Sequence, residues 1–556
     1  MNSPLGTGRP ANTTEPAVWV GGTAVASLIL MLAGALAVVL KEGLAVFWPA
    51  AVAQVWLGDG RWFLGEQAGR QVDPATGVQS ILWKTGNREW DPQRQDFRWA
   101  RADEVAQMVW PADAVLVERR ENGNFYGFLQ GVEGPRLEKA DDQSGDPWPR
   151  FREALAVVRR AEAGEIVPLT RQVAQATQRL RFLKKQLRKA EYELRRAAAD
   201  APATQPGPSQ EAVASLQAQS EQVAHQAQEL MNEQNARTAE LRKNVAVFER
   251  GPGLICRIPL ADIVRACHPN RMGLVEKVSW YAAHLKDLLV QWPREANTEG
   301  GLFPAIFGTV LLVFLMSVLC FPVGVLAGIY LGEYARQGPV VRVVRVAVNN
   351  LAGIPSIVYG MFGLGFFVYT VGKAVDRLAF PEWAEVAQPV FGTGGVLWAA
   401  LTLGLLTAPV VIVATEEALR TIPRAVREGS YALGATQWQT LARLLLPMAS
   451  PGIMTGFILA MARAAGEVAP LMLTGAVKLV SDLAIDGDFP YLHLDRKFMH
   501  LGFHIYDLGF QSPNVDASRP MVYLTTLVLV VVVVALTGTA LVLRNRMRRY
   551  YQPRSL

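Results

Sequence analysis

Five long stretches of this chain contain no Asp, Glu, Lys or Arg, and they constrain its fold more than any other feature. They cover residues 16–40, 302–332, 346–372, 386–415 and 520–543. A helix of about 20 apolar residues crosses the hydrocarbon core of a bilayer, so each stretch is long enough to span it. A sixth apolar stretch, residues 444–477, is also long enough but contains Arg463 and Glu467. The pattern predicts an all-α polytopic membrane protein with six transmembrane helices.

The first stretch predicts a membrane anchor at residues 18–40, preceded by a cytoplasmic N-terminus at residues 1–17. The apolar region of a cleaved secretory signal is about 7–15 residues long and follows a basic start. Here the apolar region is longer and only Arg9 precedes it. An anchor that is not cleaved is therefore favoured.

The distribution of charge predicts the orientation of the chain in a cytoplasmic (inner) membrane. Five arginines and no acidic residue follow the last apolar stretch. The loop at residues 478–519, between the last two apolar stretches along the chain, holds four basic and six acidic residues. Short basic loops stay in the cytoplasm. Both termini, including the tail at residues 546–556, and the loop at 415–450 are therefore predicted to be cytoplasmic. The net charge of +6 is interpreted as basic loops beside a lipid bilayer, and no nucleic-acid partner is predicted.

Residues 45–300 are predicted to form an external (periplasmic) α+β insert. Strand-like runs cover residues 80–84 and 114–118, and Asn122-Gly123 is typical of a hairpin turn. In residues 165–248 apolar positions recur at spacings of three and four, and a proline-rich break at 202–209 divides the repeat. A coiled-coil hairpin is predicted there. It is either a docking arm for an external partner or a spacer whose basic face is solvated.

The end of the insert carries two further signals. Residues 254–264 predict another strand, and residues 273–292 have the amphipathic pattern of a helix that lies along a membrane. Cys256 and Cys267 lie outside the apolar stretches. Pairing in an oxidising compartment and two unlinked thiols both remain open.

The loop at 415–450 is typical of a coupling element. Its helical parts are amphipathic, Gly434 allows a tight bend, and Pro447 is placed to begin the next span. A short helix at the membrane surface suits the groove of a soluble partner. The residues on which this interpretation depends are Glu428, Gly429, Ser430, Gly434, Leu444, Leu446 and Pro447.

This set resembles the "EAA" loop of ATP-binding-cassette importer permeases, with Gly429 and Ser430 in place of two alanines and Leu444 in place of an isoleucine. Residues 349–360, 462–471 and 497–512 are similar to segments of the phosphate importer permeases of that family. The resemblance implies a permease core at residues 301–545 with five spans, and transport of phosphate by alternating access. It also implies a second homologous permease subunit, cytoplasmic ATP-binding subunits and an external phosphate-binding protein as partners.

Arg463 and Glu467 are predicted to line the substrate pathway. A charged side chain in the middle of a membrane helix costs about 2.5–3.5 kcal/mol on insertion scales, so it faces protein or water. Four residues apart, the two share one face of a helix. A guanidinium suits phosphate oxygens, and a carboxylate can accept the proton of hydrogen phosphate and keep binding weak enough for release. A mutually neutralising structural pair is the alternative.

Gly466 and Pro470 interrupt the same predicted helix beside this pair. Breaks in a membrane helix are tolerated where the backbone lines a cavity, and they allow bending during alternating access. The two residues are therefore predicted to form a hinge, with ordinary close packing as the alternative.

Several chemical signatures are missing from the sequence. It contains no G-x-x-x-x-G-K-[ST] loop, so ATP hydrolysis is expected in a partner subunit and this chain is predicted not to be an enzyme. No metal site and no cofactor are predicted. Two alternative functions remain: a permease for another oxyanion such as sulfate or molybdate, and a membrane-anchored coiled-coil sensor or scaffold.

Overall fold

The computed structural model describes residues 16–72, 77–90, 96–137, 146–199, 209–294, 297, 299–384, 389–487, 489–512 and 515–551. The α-helices are α1 (Pro16–Ala45), α2 (Trp148–Ala161), α3 (Val167–Ala199), α4 (Gln210–Arg242), α5 (Leu274–Val290), α6 (Phe303–Ile329), α7 (Pro339–Leu351), α8 (Ser356–Phe362), α9 (Lys373–Ala379), α10 (Pro381–Ala384), α11 (Val396–Arg420), α12 (Arg424–Ala432), α13 (Gln437–Thr440), α14 (Leu446–Gly466), α15 (Ala469–Thr474), α16 (Leu501–Tyr506) and α17 (Val515–Tyr551). Short π-helical segments extend or join several of them: Glu162–Ile166, Tyr330–Tyr334, Gly363–Gly372, Leu441–Leu445 and Asp507–Gln511.

The strands all belong to the insert between the first two long apolar helices. They are β1 (Val52–Leu57), β2 (Trp62–Val72), β3 (Gln79–Lys84), β4 (Phe97–Arg101), β5 (Val105–Val109), β6 (Ala114–Arg119), β7 (Phe125–Glu133), β8 (Val245–Gly251), β9 (Leu254–Pro259), β10 (Ile263–Cys267), β11 (Pro293–Arg294) and β12 (Glu299–Gly300).

Six helical stretches among the described residues are long and apolar enough to cross a membrane, as the sequence predicted. We number them spans 1 to 6: Trp19–Ala45, Phe303–Tyr334, Ser356–Ala379, Val396–Arg420, Gln437–Gly466 and Ser518–Arg548. The fold class is therefore confirmed as a polytopic α-helical core with an α+β insert. The chain is a multi-pass membrane protein.

Three predicted boundaries of the spans were wrong. Span 3 begins at Ser356, ten residues after the start of its charge-free stretch, because α7 is a separate helix and Pro355 disfavours a helical residue before it. Span 5 ends at Gly466, and the apolar residues after it form the short helix α15. The segment between spans 4 and 5 is shorter than 415–450, since α11 continues to Arg420 and α13 begins at Gln437.

The insert contains two five-stranded antiparallel sheets. Their strand orders are β4-β3-β2-β1-β5 and β10-β6-β7-β8-β9. The predicted turn joins β6 to β7, where Asn122 and Gly123 both have positive φ angles of 66° and 68°. This is the backbone conformation that Asn-Gly hairpins favour. Helix α2 covers the second sheet with Phe151, Leu155 and Val158.

Helices α3 and α4 pack against each other as the predicted antiparallel hairpin. The apolar positions of the repeat face the partner helix, and Leu183, Ala190, Val223 and Ala227 among them are buried. The proline-rich break between the two helices lies almost wholly outside the described residues.

Cys256 and Cys267 are free thiols in the structure. They lie on β9 and β10, which are the opposite edges of the second sheet. Cys256 packs in the buried cluster beneath α2, and Cys267 packs in a separate buried cluster with Val52 and Tyr126. Of the two alternatives, the structure has the unlinked thiols.

Spans 2 and 4 form the centre of the membrane core. A Cβ atom on Gly324 would lie 2.9 Å from Val411, and one on Gly328 would lie 2.8 Å from the backbone oxygen of Ile412. Small residues of this kind let the backbones of two membrane helices approach closely. Leu312 and Leu403 are fully buried beside this contact.

The connections between spans lie at two ends of the core. Helix α3 of the insert contacts both the 3–4 connection (residues 380–395) and the 5–6 connection (residues 467–517). The insert and these two connections therefore lie at one end. By the alternating direction of the spans, residues 335–355 and the loop at 421–436 lie at the other.

Candidate functional site

Arg463 lies near the middle of the core along the direction of the spans. Helices α11 and α14 run antiparallel, and the glycines of α14 mark their register: Gly452 faces Ala418 and Gly456 faces Ala414. Arg463 is seven residues beyond Gly456, or about 10 Å at 1.5 Å per residue. It therefore lies level with the middle of span 4.

The Arg463 guanidinium and the Glu467 carboxylate are paired, but they do not share one helical face. Nε of Arg463 lies 3.5 Å from Oε1 of Glu467, and the side chains are 36% and 20% exposed. Helix α14 ends at Gly466, and Glu467 has an extended backbone with ψ of 132°. The predicted placement of both residues on one helical face was therefore wrong, because Glu467 lies beyond the end of α14. The pair instead spans the end of a helix and is partly open to the surface of the chain.

The predicted hinge residues lie on either side of a real break. Gly466 is the last residue of α14, and a Cβ atom on it would meet nothing within 4 Å. Pro470 lies in the first turn of α15, where a proline is tolerated because its missing N–H has no helical partner. Helix α15 is fixed from outside, since a Cβ atom on Gly360 of span 3 would lie 2.7 Å from Cα of Pro470.

A groove of about 370 Å³ runs along the core beside Leu459, one helical turn before Arg463. Asn349 of α7, Pro409 and Val413 of span 4 and Glu417 also line it. Its walls are largely apolar, with Asn349 and Glu417 as the polar side chains. Arg463 and Glu467 do not line this groove, and its lining residue nearest to Arg463 along the chain is Leu459.

The loop between spans 4 and 5 contains two short helices with a sharp bend between them. Helix α12 ends before Gly434, whose φ of +83° favours glycine. Thr436 caps α13 by accepting a hydrogen bond from the Gln439 N–H at 3.2 Å. Ser430 and Thr440 join the two helices through hydroxyl groups 2.8 Å apart. The bend predicted at Gly434 is present.

One surface of this loop is both apolar and exposed. Leu433 is 90% exposed and Trp438 is 66% exposed, and Tyr431 lies beside them. Glu428 and Gly429 are exposed as well, whereas Leu444 and Leu446 are half-buried. Pro447 lies in the first turn of α14. An exposed apolar cluster with a charged rim is typical of a surface that another protein covers.

Helix α12 is fixed to span 2 by an ion pair that the sequence analysis missed. Nη2 of Arg427 lies 2.7 Å from Oε1 of Glu333, and both side chains are largely buried. The same guanidinium donates to the carbonyl oxygens of Leu419 and Ile422, each at 2.7 Å. Spacing in the sequence could not reveal this pair, because its two members are 94 residues apart.

A second missed feature is a buried polar cluster in the 5–6 connection. Lys478 Nζ lies 3.1 Å from Oδ2 of Asp507, and Asn297 Nδ2 donates to the same oxygen at 3.3 Å. Burial lowers the pKa of His500 and of His504 to about 4, so both rings are neutral at pH 7. Among the described residues, no group of His, Cys, Asp and Glu could hold a metal ion.

The core combines three features that are typical of a transmembrane transport subunit. These are packed apolar spans, a charged pair near the middle of the core, and an exposed short helix between two spans. Residues 324–549 match the family model described as "Binding-protein-dependent transport system inner membrane component". The phosphate transport system permease protein PstA of Mycobacterium leprae (strain TN) is 32% identical over 256 residues, which are 46% of this chain and 76% of that protein. The chain belongs to this family, as a PstA-like permease.

Other relatives match over shorter regions. PstA 1 of Mycobacterium tuberculosis (strain CDC 1551 / Oshkosh) is 33% identical over 40% of this chain and 64% of its own length. PstA of Yersinia pestis is 39% identical over 33% of this chain and 55% of its own length. The chain thus spans between about half and three quarters of these proteins.

Two solved structures are similar to the chain at low TM-scores. An inward-facing MetNI methionine ABC transporter is 22% identical, with a TM-score of 0.31 over 45% of this chain and 94% of its own. A bacterial ABC transporter that imports alginate is 17% identical, with a TM-score of 0.35 over 48% of this chain and 83% of its own.

Proposed function

We propose that this chain is one permease subunit of an ATP-driven phosphate importer and forms half of its transmembrane pathway. The observation that carries the proposal is the identity of 32% with a phosphate transport permease over three quarters of that relative. The geometry of the core supports it, because a partly exposed arginine pairs with Glu467 near the middle of the core, one helical turn after Leu459 of the groove. The relatives give no support to an importer of another oxyanion or to a sensor.

Arg463 is the residue proposed to meet the anion. A guanidinium presents a planar fork of donors that suits phosphate oxygens, and it stays charged at any physiological pH. Its exposed fraction of 36% leaves donors available that the pair with Glu467 does not use. Glu467 lowers the net positive charge at this point, which keeps the anion from binding too tightly to leave.

Gly466 and Pro470 are proposed to form the hinge at this site. Helix α14 ends in open space at Gly466, while α15 is held against span 3. A change of backbone angles at residues 466–468 would therefore tilt span 5 without moving α15. Such a tilt would change which end of the core has access to Arg463.

The loop at 421–436 is proposed to receive the motion of ATP-binding subunits. Glu428, Gly429 and Ser430 lie on its exposed helix, with Leu433 at the tip. Because Arg427 joins this helix to Glu333, a push on the loop is passed directly to the end of span 2. The same motion reaches span 5 through the start of that span, where Leu444, Leu446 and Pro447 lie.

We propose an assembly in which each partner covers a different surface of the chain. We expect a second homologous permease on the side of the groove, ATP-binding subunits at the loop, and a phosphate-binding protein at the end that carries the insert. Residues 1–17, the loop and residues 546–556 would then be cytoplasmic, with the insert of residues 45–300 periplasmic. Hydrolysis of ATP is expected in the partner subunits.

The test is phosphate uptake by the assembled complex in proteoliposomes loaded with ATP. Arg463→Gln is expected to lower uptake about tenfold or more, since a hydrogen bond to a charged group is worth about 1.5–3 kcal/mol. Arg377→Gln is the matched control, because Arg377 is an exposed arginine at the end of span 3, away from the groove. Uptake at the unmodified rate by Arg463→Gln would contradict the pathway role. Hydrolysis of ATP by the purified chain alone would contradict the assignment as a permease.

A further inference from the structure

One face of α3 crosses over both connections at the insert's end of the core. Nη1 of Arg181 lies 3.0 Å from Oδ2 of Asp482, in the 5–6 connection. The guanidinium of Arg188 lies 4.1 Å from the ring centroid of Trp383, in the 3–4 connection. Residues four and three apart lie on one helical face, and Lys185 between them faces the ring of Phe380 at 5.9 Å.

The charge of the hairpin is divided between its two helices. Helix α3 carries nine basic and two acidic residues, whereas α4 carries five acidic and two basic ones. The basic helix is the one that faces the connections. An acidic side chain and two aromatic rings are what a row of cations recognises, through ion pairs and cation–π contacts.

The 3–4 connection is tied to the spans that it joins. Asp376, at the end of span 3, accepts hydrogen bonds from the N–H groups of Phe391 and Gly392 at 2.8 and 2.6 Å. Trp398, in the first turn of span 4, donates to the carbonyl oxygen of Phe391 at 2.7 Å. The connection that carries Trp383 is therefore hydrogen-bonded to the ends of both spans.

The 5–6 connection is tied to span 4 and to the charged pair. The N–H of Val396 donates to the carbonyl oxygen of Arg496, and the N–H of Leu397 donates to that of Leu494, each at 3.0 Å. The 5–6 connection therefore caps span 4. The N–H of Val477 donates to Phe498 at 3.0 Å, which fixes the segment directly after α15. The chain from Asp482 thus leads back through α15 to Glu467 within fifteen residues.

We propose that the α3–α4 hairpin is a strap across this end of the core. It holds the 3–4 and 5–6 connections together in the present conformation and releases the 5–6 connection, at the contact between Arg181 and Asp482, when this end opens. Exposed ion pairs and cation–π contacts are individually weak, so such a strap can be held and released within each transport cycle. The inference rests on the proposed function, because it requires a core whose ends open in turn.

The test is a reversible cross-link across the strap in the assembled complex. Arg181→Cys and Asp482→Cys are joined by a disulfide-containing bifunctional thiol reagent, and phosphate uptake and ATP hydrolysis are measured before and after reduction. Locking the strap is expected to lower both at least about fivefold, the lower end of typical coupling between sites, and reduction is expected to restore both. Arg136→Cys with Glu165→Cys is the matched control, since that ion pair of 2.6 Å lies entirely within the insert.

Each outcome decides between the two proposals. Uptake and hydrolysis that are unchanged by the cross-link would overturn the strap and leave the proposed function standing. A complex that takes up no phosphate in any state would contradict the proposed function. The strap would then be judged by ATP hydrolysis alone, which the cross-link between residues 181 and 482 must lower and the control cross-link must not.

Discussion

Glu118 in the insert shows how partners from distant segments fix the charge of a single residue. Its carboxylate oxygens lie 3.0 Å from Nε2 of His284 and 2.8 Å from Nη2 of Arg294. Burial acts to raise the pKa of this carboxyl, but the hydrogen bond from His284 and the charges of both partners outweigh it and lower the pKa to about 2. The sequence could not predict this site, because the three residues lie on β6, α5 and β11.

The depressed pKa of Glu118 predicts how the stability of the insert depends on pH. A carboxyl with a lowered pKa stabilises the folded state above its ordinary pKa of 4.5, and this contribution is lost as the pH falls toward 2. Glu118→Gln is expected to remove up to ~3 kcal/mol at pH 7, at 1.36 kcal/mol per pKa unit. Thermal unfolding of the full chain in detergent, followed by tryptophan fluorescence from pH 6 to 3, would measure it. Glu133→Gln, at an exposed ion pair, is the control and should keep the pH dependence of the unmodified chain.

Glu467 is expected to make the transporter discriminate between phosphate and sulfate, two anions of similar size. Hydrogen phosphate carries a proton that a carboxylate can accept, whereas sulfate has none and is repelled. Glu467→Gln is expected to strengthen the inhibition of phosphate uptake by sulfate about tenfold, the effect of about 1.4 kcal/mol of lost repulsion. Glu467→Asp keeps the charge and should keep the discrimination. Equal sulfate inhibition in all three proteins would remove the proposed role of the carboxylate.

At the scale of helices, the sequence predicted what depends on hydrophobicity and missed what depends on tertiary contact. Five stretches without charge and one apolar stretch with two charged residues identified the six spans, because apolar side chains are the ones that are stable in hydrocarbon. The same rule misplaced the start of span 3, since Val346 to Leu351 are mostly apolar yet belong to the amphipathic helix α7. The break after Gly466 was predicted from Gly466 and Pro470, but the packing of α15 against Gly360 of span 3 could not be predicted, because it depends on tertiary contact.

The bend at Gly434 and the capping of α13 could be predicted, because they depend on the residues that form them. The ion pair between Arg427 and Glu333 could not, because each residue alone resembles any charge at the end of a span. Pairing of Arg463 with Glu467 was the alternative to a role in the pathway, and the position of the pair across the end of α14 was not predicted.

Helix α12 and the turn after it are expected to carry the contact with the ATP-binding subunits. Leu433→Asp places a charge at the most exposed apolar point of the loop, where the side chain is 90% exposed. Copurification of the ATP-binding subunits is expected to fall about tenfold or more, because a buried interface position without a partner for its charge is costly. Phe489→Asp is the control, since Phe489 is 87% exposed but lies at the opposite end of the core. Undiminished copurification with Leu433→Asp would place the contact elsewhere.

At the scale of the whole molecule, the orientation of the chain is a prediction that one labelling experiment tests. Leu433→Cys and Phe489→Cys lie at opposite ends of the core, and both positions are highly exposed. A membrane-impermeant maleimide added to intact cells is expected to label position 489 and to label position 433 only after lysis. Labelling of the native cysteines is expected to be low. Cys256 and Cys267 are buried, and burial raises the pKa of Cys267 to about 12, while Cys320 lies within span 2. The reverse pattern would invert the predicted topology.

The contact between spans 2 and 4 restricts how this core can move. Two helices slide past each other over a layer of side chains, and at Gly324, Gly328 and Gly404 that layer is absent. We expect this close contact to limit sliding between spans 2 and 4, so that the two helices move as a unit. A methyl group added at Gly328 would lie 2.6 Å from Cβ of Thr415 and would force the two helices apart.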